Sequence, residues 1–315
     1  MGAGMKLVFC GTPEFTVPTL EAVLTAGHEV ALVLTQPDRP AGRKMELLVP
    51  PVKQCALKYG LEVIQPERIK ANQELCARLE AIQPDVILVV AYGRIIPAWM
   101  LDLPRFGNIN LHGSLLPKYR GAAPIQWAVA SGETETGVTT MRLDAGLDTG
   151  DVLLERRVSI GPDTTAARLF PQLSHVGAEL VVETLAGLED GSVLRKPQDH
   201  AGATLAPILT REDGRMELVN RTAQEVYNRW RGFYPWPGAH DVFRGKRILV
   251  HRMHVGGEGL GLGCGQLNWS TGELVVGAAE GTALVLDEVQ LEGKQQLSGM
   301  DFVRGFQLKQ GEILG

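Results

Sequence analysis

The sequence predicts an α/β protein, with a doubly wound, mostly parallel, Rossmann-like sheet domain followed by a small OB-like β-barrel domain. Over the first 190 residues, short apolar runs alternate with segments of helical periodicity, which is typical of βαβ units. One of these runs, D-V-I-L-V-V-A (85–91), is apolar throughout, as expected of a parallel strand buried on both faces. After residue 208 the runs become short and alternating, with glycine-rich turns, which favours a small β-barrel.

The first domain begins with a strand, M-K-L-V-F-C (5–10), followed by a helix that ends near Gly27. The other predicted elements are strands at 29–35, 61–64, 85–91 and from 108, and helices at 51–60, 72–82, 97–101 and 164–188. Asn72 and Asp163 are expected to cap the helices that they precede. Pro171 is expected to kink or split the longest helix, because proline removes a backbone donor.

The composition changes after residue 190. Residues 191–207 have no clear period and are rich in Gly, Pro and polar residues, so they are interpreted as a linker. A helix from Thr222 to Trp230 then precedes the short runs K-R-I-L-V-H-R-M, G-E-L-V-V-G and T-A-L-V-L-D-E-V-Q-L. The predicted organisation is a domain over 1–190, a linker over 191–207 and a second domain over 208–315.

The composition argues against several classes of protein. With 315 residues, 44% hydrophobic residues and a net charge of −5, the chain gives no overall signal for nucleic acid or membranes. Its four cysteines are scattered without a C-x-x-C pair, which argues against disulfide or zinc scaffolding and for a reducing compartment. No apolar run approaches the roughly 18 residues of a transmembrane helix. We therefore expect a soluble, cytoplasmic monomer with no metal and no membrane partner.

Two polar residues interrupt the strand-like run N-I-N-L-H at 108–112. Asn110 and His112 are two apart, so on a strand both point to the same face. Taken singly, a buried Asn or His is more often a core residue hydrogen-bonded to the backbone than part of a site. G-S-L-L-P directly after them ends the strand, and the parallel sheet would place this end at its ligand-binding edge.

A third polar cluster lies in M-R-L-D-A-G-L-D-T-G-D (141–151), where three aspartates alternate with glycines. The order of these ligands does not match an EF-hand, and a solvated turn is the simplest interpretation. The loop after Leu143 is nevertheless expected at the same edge of the sheet as the 110–122 segment. Asn, His and Asp side chains there would suit carbonyl chemistry, since an amide and an imidazole can stabilise an oxyanion while His and Asp handle a proton.

Several stretches resemble the folate-dependent formyltransferases. The most specific are N-I-N-L-H-G-S-L-L-P-K-Y-R-G-A-A-P-I-Q-W and L-D-A-G-L-D-T-G-D, supported by F-C-G-T-P-E-F, T-Q-P-D-R-P-A-G-R, V-V-A-Y-G-R-I-I-P and F-Y-P-W-P. The resemblance runs from residue 5 to the end of the chain. Within the family it is strongest to members that formylate methionyl-tRNA.

The resemblance implies transfer of a formyl group from N10-formyltetrahydrofolate, a folate co-substrate, to the free α-amine of initiator methionyl-tRNA. It assigns oxyanion stabilisation to Asn110 and His112, while Asp148 would hold His112 and relay the proton to the departing folate nitrogen. The positions that it assigns to folate binding are Ser114, Leu115, Leu116, Pro117, Arg94 and Ile95. Catalysis would belong to residues 1–190 and tRNA binding to residues 208–315.

The resemblance also assigns residues to the acceptor tRNA. The loop R-P-A-G-R-K (39–44) matches the family's tRNA-contacting loop, with Arg43 as the main contact and Lys44 as the second. By composition alone it fits an ordinary surface loop, and it is less basic after Lys44 than is usual in the family. Phe15 is assigned to the methionyl side chain. Residues 211–252 carry nine Lys or Arg against five Asp or Glu, which indicates a candidate phosphate-binding surface.

Four other functions fit part of the pattern. A nucleotide-sugar formyltransferase shares the chemistry and a two-part architecture, and the 39–44 loop is what favours tRNA over it. A glycinamide-ribotide transformylase shares the Asn, His and Asp but lacks a second domain of this size. A folate hydrolase would need water as its nucleophile. A nucleic-acid-binding protein with an inactive first domain would not need all three polar residues.

Overall fold

The protein is described by a computed structural model that covers residues 4–41, 46–256 and 261–315. The chain forms two compact units, each built from separate stretches of sequence. Unit 1 comprises Met1–Pro124, Glu135–Ser159 and Phe170–Pro207. Unit 2 comprises Ile125–Thr134, Ile160–Leu169 and Ile208–Gly315. Across the described ranges, no helix combines the length and hydrophobicity needed to cross a bilayer.

The first 190 residues contain the strands and helices of an alternating α/β chain. The strands are β1 (Lys6–Gly11), β2 (Glu29–Leu34), β3 (Arg39–Ala41), β4 (Glu46–Leu48), β5 (Val63–Ile64), β6 (Val86–Val90), β7 (Asn108–His112), β8 (Glu135–Arg142) and β9 (Val152–Ser159). The helices are α1 (Val17–Thr25), α2 (Pro51–Lys58), α3 (Gln73–Ile82), α4 (Ala98–Leu101), α5 (Pro124–Ala130) and α6 (Ala166–Asp190).

A seven-stranded sheet in the order β5-β2-β1-β6-β7-β8-β9 forms the centre of unit 1. The first five strands in this order run parallel, whereas β8 and β9 pair antiparallel. The prediction of a mostly parallel Rossmann-like sheet is therefore confirmed. Strand β7 lies where parallel pairing changes to antiparallel pairing.

Apolar side chains cover one face of this sheet in an alternating pattern. They come from β1, β2 and β6 and pack with α3 and α4, as follows: Val8, Cys10, Leu32, Leu34, Ile87, Val89, Leu75, Leu79 and Met100. The alternation follows from the two-residue period of a strand. Burial, and then the nearby Cys10, raise the pKa of the Tyr92 phenol at the end of β6, so this side chain stays neutral.

Two helix predictions have definite outcomes. Asn72 caps α3, since its side-chain oxygen accepts a hydrogen bond from Leu75 N–H at 3.0 Å. Pro171 was expected to kink or split the long helix, and of these two outcomes the split does not occur, because α6 runs through Pro171 as one element. Pro171 is the sixth residue of α6, so only one backbone hydrogen bond near the amino end is lost. Asp163 precedes this helix and accepts a hydrogen bond from the Tyr227 hydroxyl at 2.8 Å.

Unit 2 contains a smaller antiparallel sheet. Its strands and helices after residue 208 are α7 (Ala223–Phe233), β10 (Ala239–Phe243), β11 (Lys246–Val255), β12 (Leu267–Asn268), β13 (Val275–Gly277), β14 (Ala283–Leu291), β15 (Gln296–Ser298) and α8 (Gly299–Gly305). The strand order is β10-β11-β14-β13-β12, with β15 also paired to β14. The predicted small antiparallel domain is confirmed, and within the described ranges its strand pairings do not close into a barrel.

Much of the positive charge predicted for residues 211–252 is already used inside unit 2. Arg231, which is 4% exposed, donates to the carbonyls of Gly161 and Thr164 at 3.1 and 3.0 Å and to Asn228 at 2.6 Å. The other engaged arginines and their partners are Arg221 with Glu217, Arg229 with the Asp213 carbonyl, Arg244 with Glu312, and Arg252 with Asp287 and Glu288. The basic excess of the sequence therefore overstates the charge available to a ligand.

Replacing Arg231 with Met is expected to lower the free energy of unfolding by about 2 kcal/mol, because buried acceptors lose a charged donor. Urea denaturation followed by circular dichroism measures this loss. A matched control is Arg157→Met, since the ion pairs that Arg157 makes with Glu135 and Glu155 are exposed. Equal denaturation midpoints for wild type and the Arg231 variant would contradict the structural role.

Candidate active site

Strand β7 carries three polar residues on one face. Asn108, Asn110 and His112 alternate with Ile109 and Leu111, and all five are buried. The amide of Asn108 donates to the carbonyls of Met100 and Leu101 at 2.9 and 3.0 Å, which ties β7 to α4. The amide nitrogen of Asn108 is thus fully used within the core, although its Oδ1 has no hydrogen-bond partner among the described residues. The other two polar residues have different surroundings.

Asn110 lies in the middle of β7 and is 8% exposed. Its backbone pairs with Val89 of β6 on one side and with Met141 of β8 on the other. Within the described ranges, its side-chain amide has no hydrogen-bond partner. A nearly buried amide normally finds a partner, so Asn110 is available to bind a polar atom of a ligand.

His112 ends β7 and is 6% exposed. Its Nε2 lies 2.9 Å from the Tyr119 carbonyl oxygen, which can only accept, so this nitrogen carries a proton. Its Nδ1 lies 3.7 Å from Oδ2 of Asp148. That distance is too long for a hydrogen bond. Nδ1, the ring nitrogen that does not contact the Tyr119 carbonyl, therefore faces a carboxylate.

The loop that carries Asp148 approaches His112 from an unexpected direction. Because β8 is antiparallel to β7, Arg142 pairs with Ile109, near the amino end of β7. The expectation that the loop after Leu143 emerges at the carboxyl edge is therefore wrong. The loop starts where Leu143 N–H donates to the Asn108 carbonyl at 2.8 Å, and it returns along the sheet to bring Asp148 to His112.

A close backbone approach at Gly150 and a left-handed conformation at Asp148 make this return possible. A Cβ at Gly150 would overlap the carbonyl oxygen of Arg142, so no larger residue fits there. Asp148 itself has a φ of 52°, in the left-handed region that Asp tolerates better than most residues. Asp144 accepts hydrogen bonds from Gly146 N–H at 2.9 Å and from the Thr149 hydroxyl at 2.7 Å. Asp144 thus holds the shape of the loop, and Asp148 is left to face His112.

The carboxylate of Asp148 is fixed on one side only. Its Oδ2 accepts a hydrogen bond from Gly121 N–H at 2.8 Å. Within the described ranges its Oδ1 has no hydrogen-bond partner. Asn110, His112 and Asp148 therefore present an amide, an imidazole and a free carboxylate oxygen. An amine and a carbonyl group brought here would meet a donor for the oxygen and an acceptor for the proton.

The residues expected to bind folate lie after β6 and β7. In the turn after β7, the Ser114 hydroxyl donates to the Lys118 carbonyl at 2.6 Å, and Leu116 is buried while Leu115 and Pro117 are partly exposed. After β6, the Arg94 guanidinium donates to the Gln36 side chain at 3.2 Å and to the Glu67 carbonyl at 2.6 Å. Ile95 is 89% exposed, which is unusual for a large aliphatic residue next to a site.

Of Phe15, Arg43 and Lys44, which are expected to bind the tRNA substrate, the structure describes only Phe15. Phe15 follows β1, and its ring packs edge-on against Phe170 at 6.1 Å rather than against the polar trio. Arg43 and Lys44 lie outside the described residues. Before them, Asp38 accepts hydrogen bonds from Lys53 at 2.6 Å and from Gln65 at 2.7 Å, which lowers the pKa of its carboxyl group.

Comparison with known proteins identifies the family of this chain. The family model described as formyl transferase matches residues 5–185, and the model described as formyl transferase, C-terminal domain, matches residues 208–307. The chain belongs to the formyl transferase family. This formyl transferase is 61% identical over 311 residues to the methionyl-tRNA formyltransferase of Acidobacterium capsulatum, with 99% of this chain and all of that protein aligned. It is 56% identical to the methionyl-tRNA formyltransferase of Koribacter versatilis, with 99% of each chain aligned.

A solved structure shares the fold of this formyl transferase. The N-formyltransferase from Helicobacter canadensis, crystallised with folinic acid and dTDP-3-aminofucose, matches with a TM-score of 0.65. The match covers 93% of this chain and all of that chain, at 17% sequence identity. At that identity the similarity concerns the fold alone.

Sequence reasoning missed two glutamines that organise this formyl transferase. Gln36 donates to the carbonyls of Tyr92 and Gly93 at 3.1 and 3.3 Å and accepts from Arg94, so it shapes the turn after β6. Gln198 donates to the carbonyls of Asp148 and Gly150 at 2.9 and 2.7 Å. Gln198 belongs to no quoted motif, and Gln36 lies in T-Q-P-D-R-P-A-G-R without an assigned role. Their partners lie far away in the sequence, so local spacing does not reveal either role.

Proposed function

We propose that this chain transfers the formyl group of N10-formyltetrahydrofolate to the α-amino group of initiator methionyl-tRNA, giving formylmethionyl-tRNA for translation initiation in the cytoplasm. Full-length identity of 61% and 56% to proteins named methionyl-tRNA formyltransferase carries this proposal. The grouping of Asn110, His112 and Asp148 supplies side chains suited to acyl transfer to an amine.

Asn110 and His112 stabilise the negative charge that develops on the formyl oxygen. The donor molecule supplies the formyl carbon, and the amine of the acceptor attacks it. The free amide of Asn110 points from the same face of β7 as the His112 ring, so both can donate to one oxygen. Oδ2 of Asp148 lies 3.7 Å from Nδ1 of His112, too far for a direct hydrogen bond between them.

Asp148 handles the proton of the attacking amine. Its Oδ2 is held by Gly121 N–H, and its Oδ1 is free among the described residues to accept a proton. The same carboxylate, with His112, then returns the proton to the departing folate nitrogen. Because the trio is nearly buried, these charges interact in a medium of low dielectric, where each donor contributes more than it would in water.

The turns after β6 and β7 bind the folate in this proposal. Ser114, Leu115, Leu116 and Pro117 form one wall, and Arg94 with Ile95 forms the other. The exposure of Ile95 supports this assignment, since an aliphatic surface at the carboxyl edge of a parallel sheet suits a flat heteroaromatic ring. The described residues thus offer both apolar contact and a guanidinium for the folate.

The acceptor tRNA is contacted by Arg43 and Lys44, with Phe15 near the methionyl side chain. Exposed basic residues of unit 2 that have no described ion pair, such as Arg211 and Arg215, add phosphate contacts. Binding of this kind weakens as salt rises, because each neutralised phosphate releases counterions.

The decisive experiment compares acceptors. The purified protein is mixed with N10-formyltetrahydrofolate and with methionyl-tRNA, uncharged methionine-accepting tRNA or a dTDP-amino sugar, and formyl transfer is followed by mass spectrometry. We expect transfer to methionyl-tRNA alone, since only this acceptor offers both a free amine and the tRNA. Transfer to the amino sugar with none to methionyl-tRNA would replace this function by that of a nucleotide-sugar formyltransferase.

A further inference from the structure

We propose that Gln198 and Arg120 are positioning residues for formyl transfer, and that residues 196–206, here named the clamp segment, complete the active site. This inference rests on the proposed role of the His112–Asp148 pair. The clamp segment lies outside both matched family models, which cover 5–185 and 208–307. It was expected to be part of a linker. In the structure its residues form hydrogen bonds with the Asp148 loop and with Tyr119 and Arg120, the two segments on either side of His112.

Gln198 holds the backbone of the Asp148 loop. Its side chain is buried, and its amide nitrogen donates to the Asp148 and Gly150 carbonyls at 2.9 and 2.7 Å. These two carbonyls flank the turn that aims the Asp148 carboxylate at His112. Since Asp148 has a φ of 52°, its backbone occupies a conformation that few residues adopt without support. The Gln198 amide supplies that support from outside the loop.

Arg120 fixes the orientation of the Gln198 amide. Its Nε and Nη2 lie 3.2 and 2.6 Å from Oε1 of Gln198, and its Nη2 lies 3.0 Å from Nδ1 of His200. A guanidinium only donates, so the oxygen of Gln198 must face Arg120 and the nitrogen must face the two carbonyls. Arg120 is buried as well, and it has no carboxylate within ion-pair distance in the described part of the chain.

The other end of the clamp segment holds the partner of the His112 ring. The Thr204 hydroxyl accepts a hydrogen bond from Tyr119 N–H at 2.8 Å, and the Thr204 carbonyl accepts one from Arg120 N–H at 2.8 Å. Tyr119, whose φ is 61°, presents the carbonyl that binds Nε2 of His112. The clamp segment therefore fixes the Tyr119 carbonyl on one side of His112 and Asp148 on the other.

Loss of Gln198 is expected to slow formyl transfer by changing the distance between Asp148 and His112. Without Gln198, the Asp148 loop can relax from its supported conformation, and the 3.7 Å separation of Asp148 from Nδ1 is no longer fixed. Since neither Gln198 nor Arg120 contacts a substrate in the proposed mechanism, their loss affects the reaction step rather than substrate binding.

The test uses Gln198→Ala and Gln198→Glu in the full chain, with Leu194→Ala as a control because Leu194 is 72% exposed in the same region. For Gln198→Ala we expect kcat to fall roughly 10- to 100-fold with KM for both substrates within about threefold of wild type. Gln198→Glu keeps an acceptor for Arg120 but loses both donors to the carbonyls, so the same loss is expected. Leu194→Ala should retain the wild-type kcat.

A second measurement, by NMR, needs no formyl-accepting substrate. In protein labelled with ¹³C-histidine and assigned with His112→Ala, Gln198→Ala should shift the ring resonances of His112, and Leu194→Ala should not. A lowered melting temperature with unchanged kcat and unchanged His112 resonances would overturn the inference, as would a wild-type kcat in Gln198→Glu. If the wild-type chain formylates another amine instead of methionyl-tRNA, the proposed function fails, and the NMR comparison still decides the role of Gln198.

Discussion

Replacing His112 with Ala is expected to lower kcat for formyl transfer by about 10³- to 10⁴-fold, the largest effect of any single substitution in the chain. The substitution removes the proposed donor to the formyl oxygen and leaves Asp148 without the ring that it faces at 3.7 Å. Single-turnover assays with enzyme in excess measure the reaction step directly. Binding of methionyl-tRNA, followed by filter retention, should remain close to that of wild type, because His112 lies on β7 rather than on a tRNA-contacting segment.

A second histidine provides the control for this loss. His175 lies exposed on α6, away from the polar face of β7, and His175→Ala should leave kcat unchanged. If His112→Ala lost activity only in proportion to a loss of folded protein, a chemical role for the ring would be excluded. Circular dichroism spectra of both variants make that comparison possible.

Replacing Asn110 with Ala is expected to lower kcat by about 10²- to 10³-fold, the usual cost of removing one oxyanion donor. The structure supplies a matched control two residues earlier on the same face of β7. Asn108 uses its amide to hold the Met100 and Leu101 carbonyls, whereas the Asn110 amide has no partner among the described residues. Asn108→Ala should therefore lower the free energy of unfolding by about 1 to 3 kcal/mol and leave kcat per folded molecule unchanged.

Urea denaturation and steady-state kinetics on the two asparagine variants separate these outcomes. The expected pattern is a crossover, with one variant losing activity and the other losing stability. A loss of stability in Asn110→Ala comparable to that of Asn108→Ala, without a fall in kcat, would show that Asn110 is also a core residue.

The alternation of strands and helices was predictable because local patterns encode it. Apolar strands such as β6, the cap at Asn72 and the same-face placement of Asn110 and His112 all follow from spacing within a few residues. The direction of the chain after residue 134 did not follow, since nothing local distinguishes an antiparallel strand from a parallel one. The error about the route of the Asp148 loop has that single cause.

The supporting residues of the site were not predictable for a related reason. Gln198 is 50 residues from Asp148 and 78 from Arg120 in sequence, so no spacing connects them. Composition alone did not reveal the contacts of two segments. Residues rich in Gly, Pro and polar side chains suggested a linker at 191–207, and a run of arginines suggested a free basic surface although Arg229 and Arg231 are committed to unit 2. Burial raises the cost of their charge and lowers the pKa of both arginines.

The position of β7 between a parallel and an antiparallel neighbour also bears on how the enzyme is made. During synthesis, Asn110 and His112 emerge well before β8, the Asp148 loop and the clamp segment. A nascent or truncated chain that stops before residue 196 lacks Gln198 and Thr204, which hold the Asp148 loop and Tyr119. We therefore expect such a chain to transfer formyl groups more slowly than the full chain, so full activity would appear only after the clamp segment has docked.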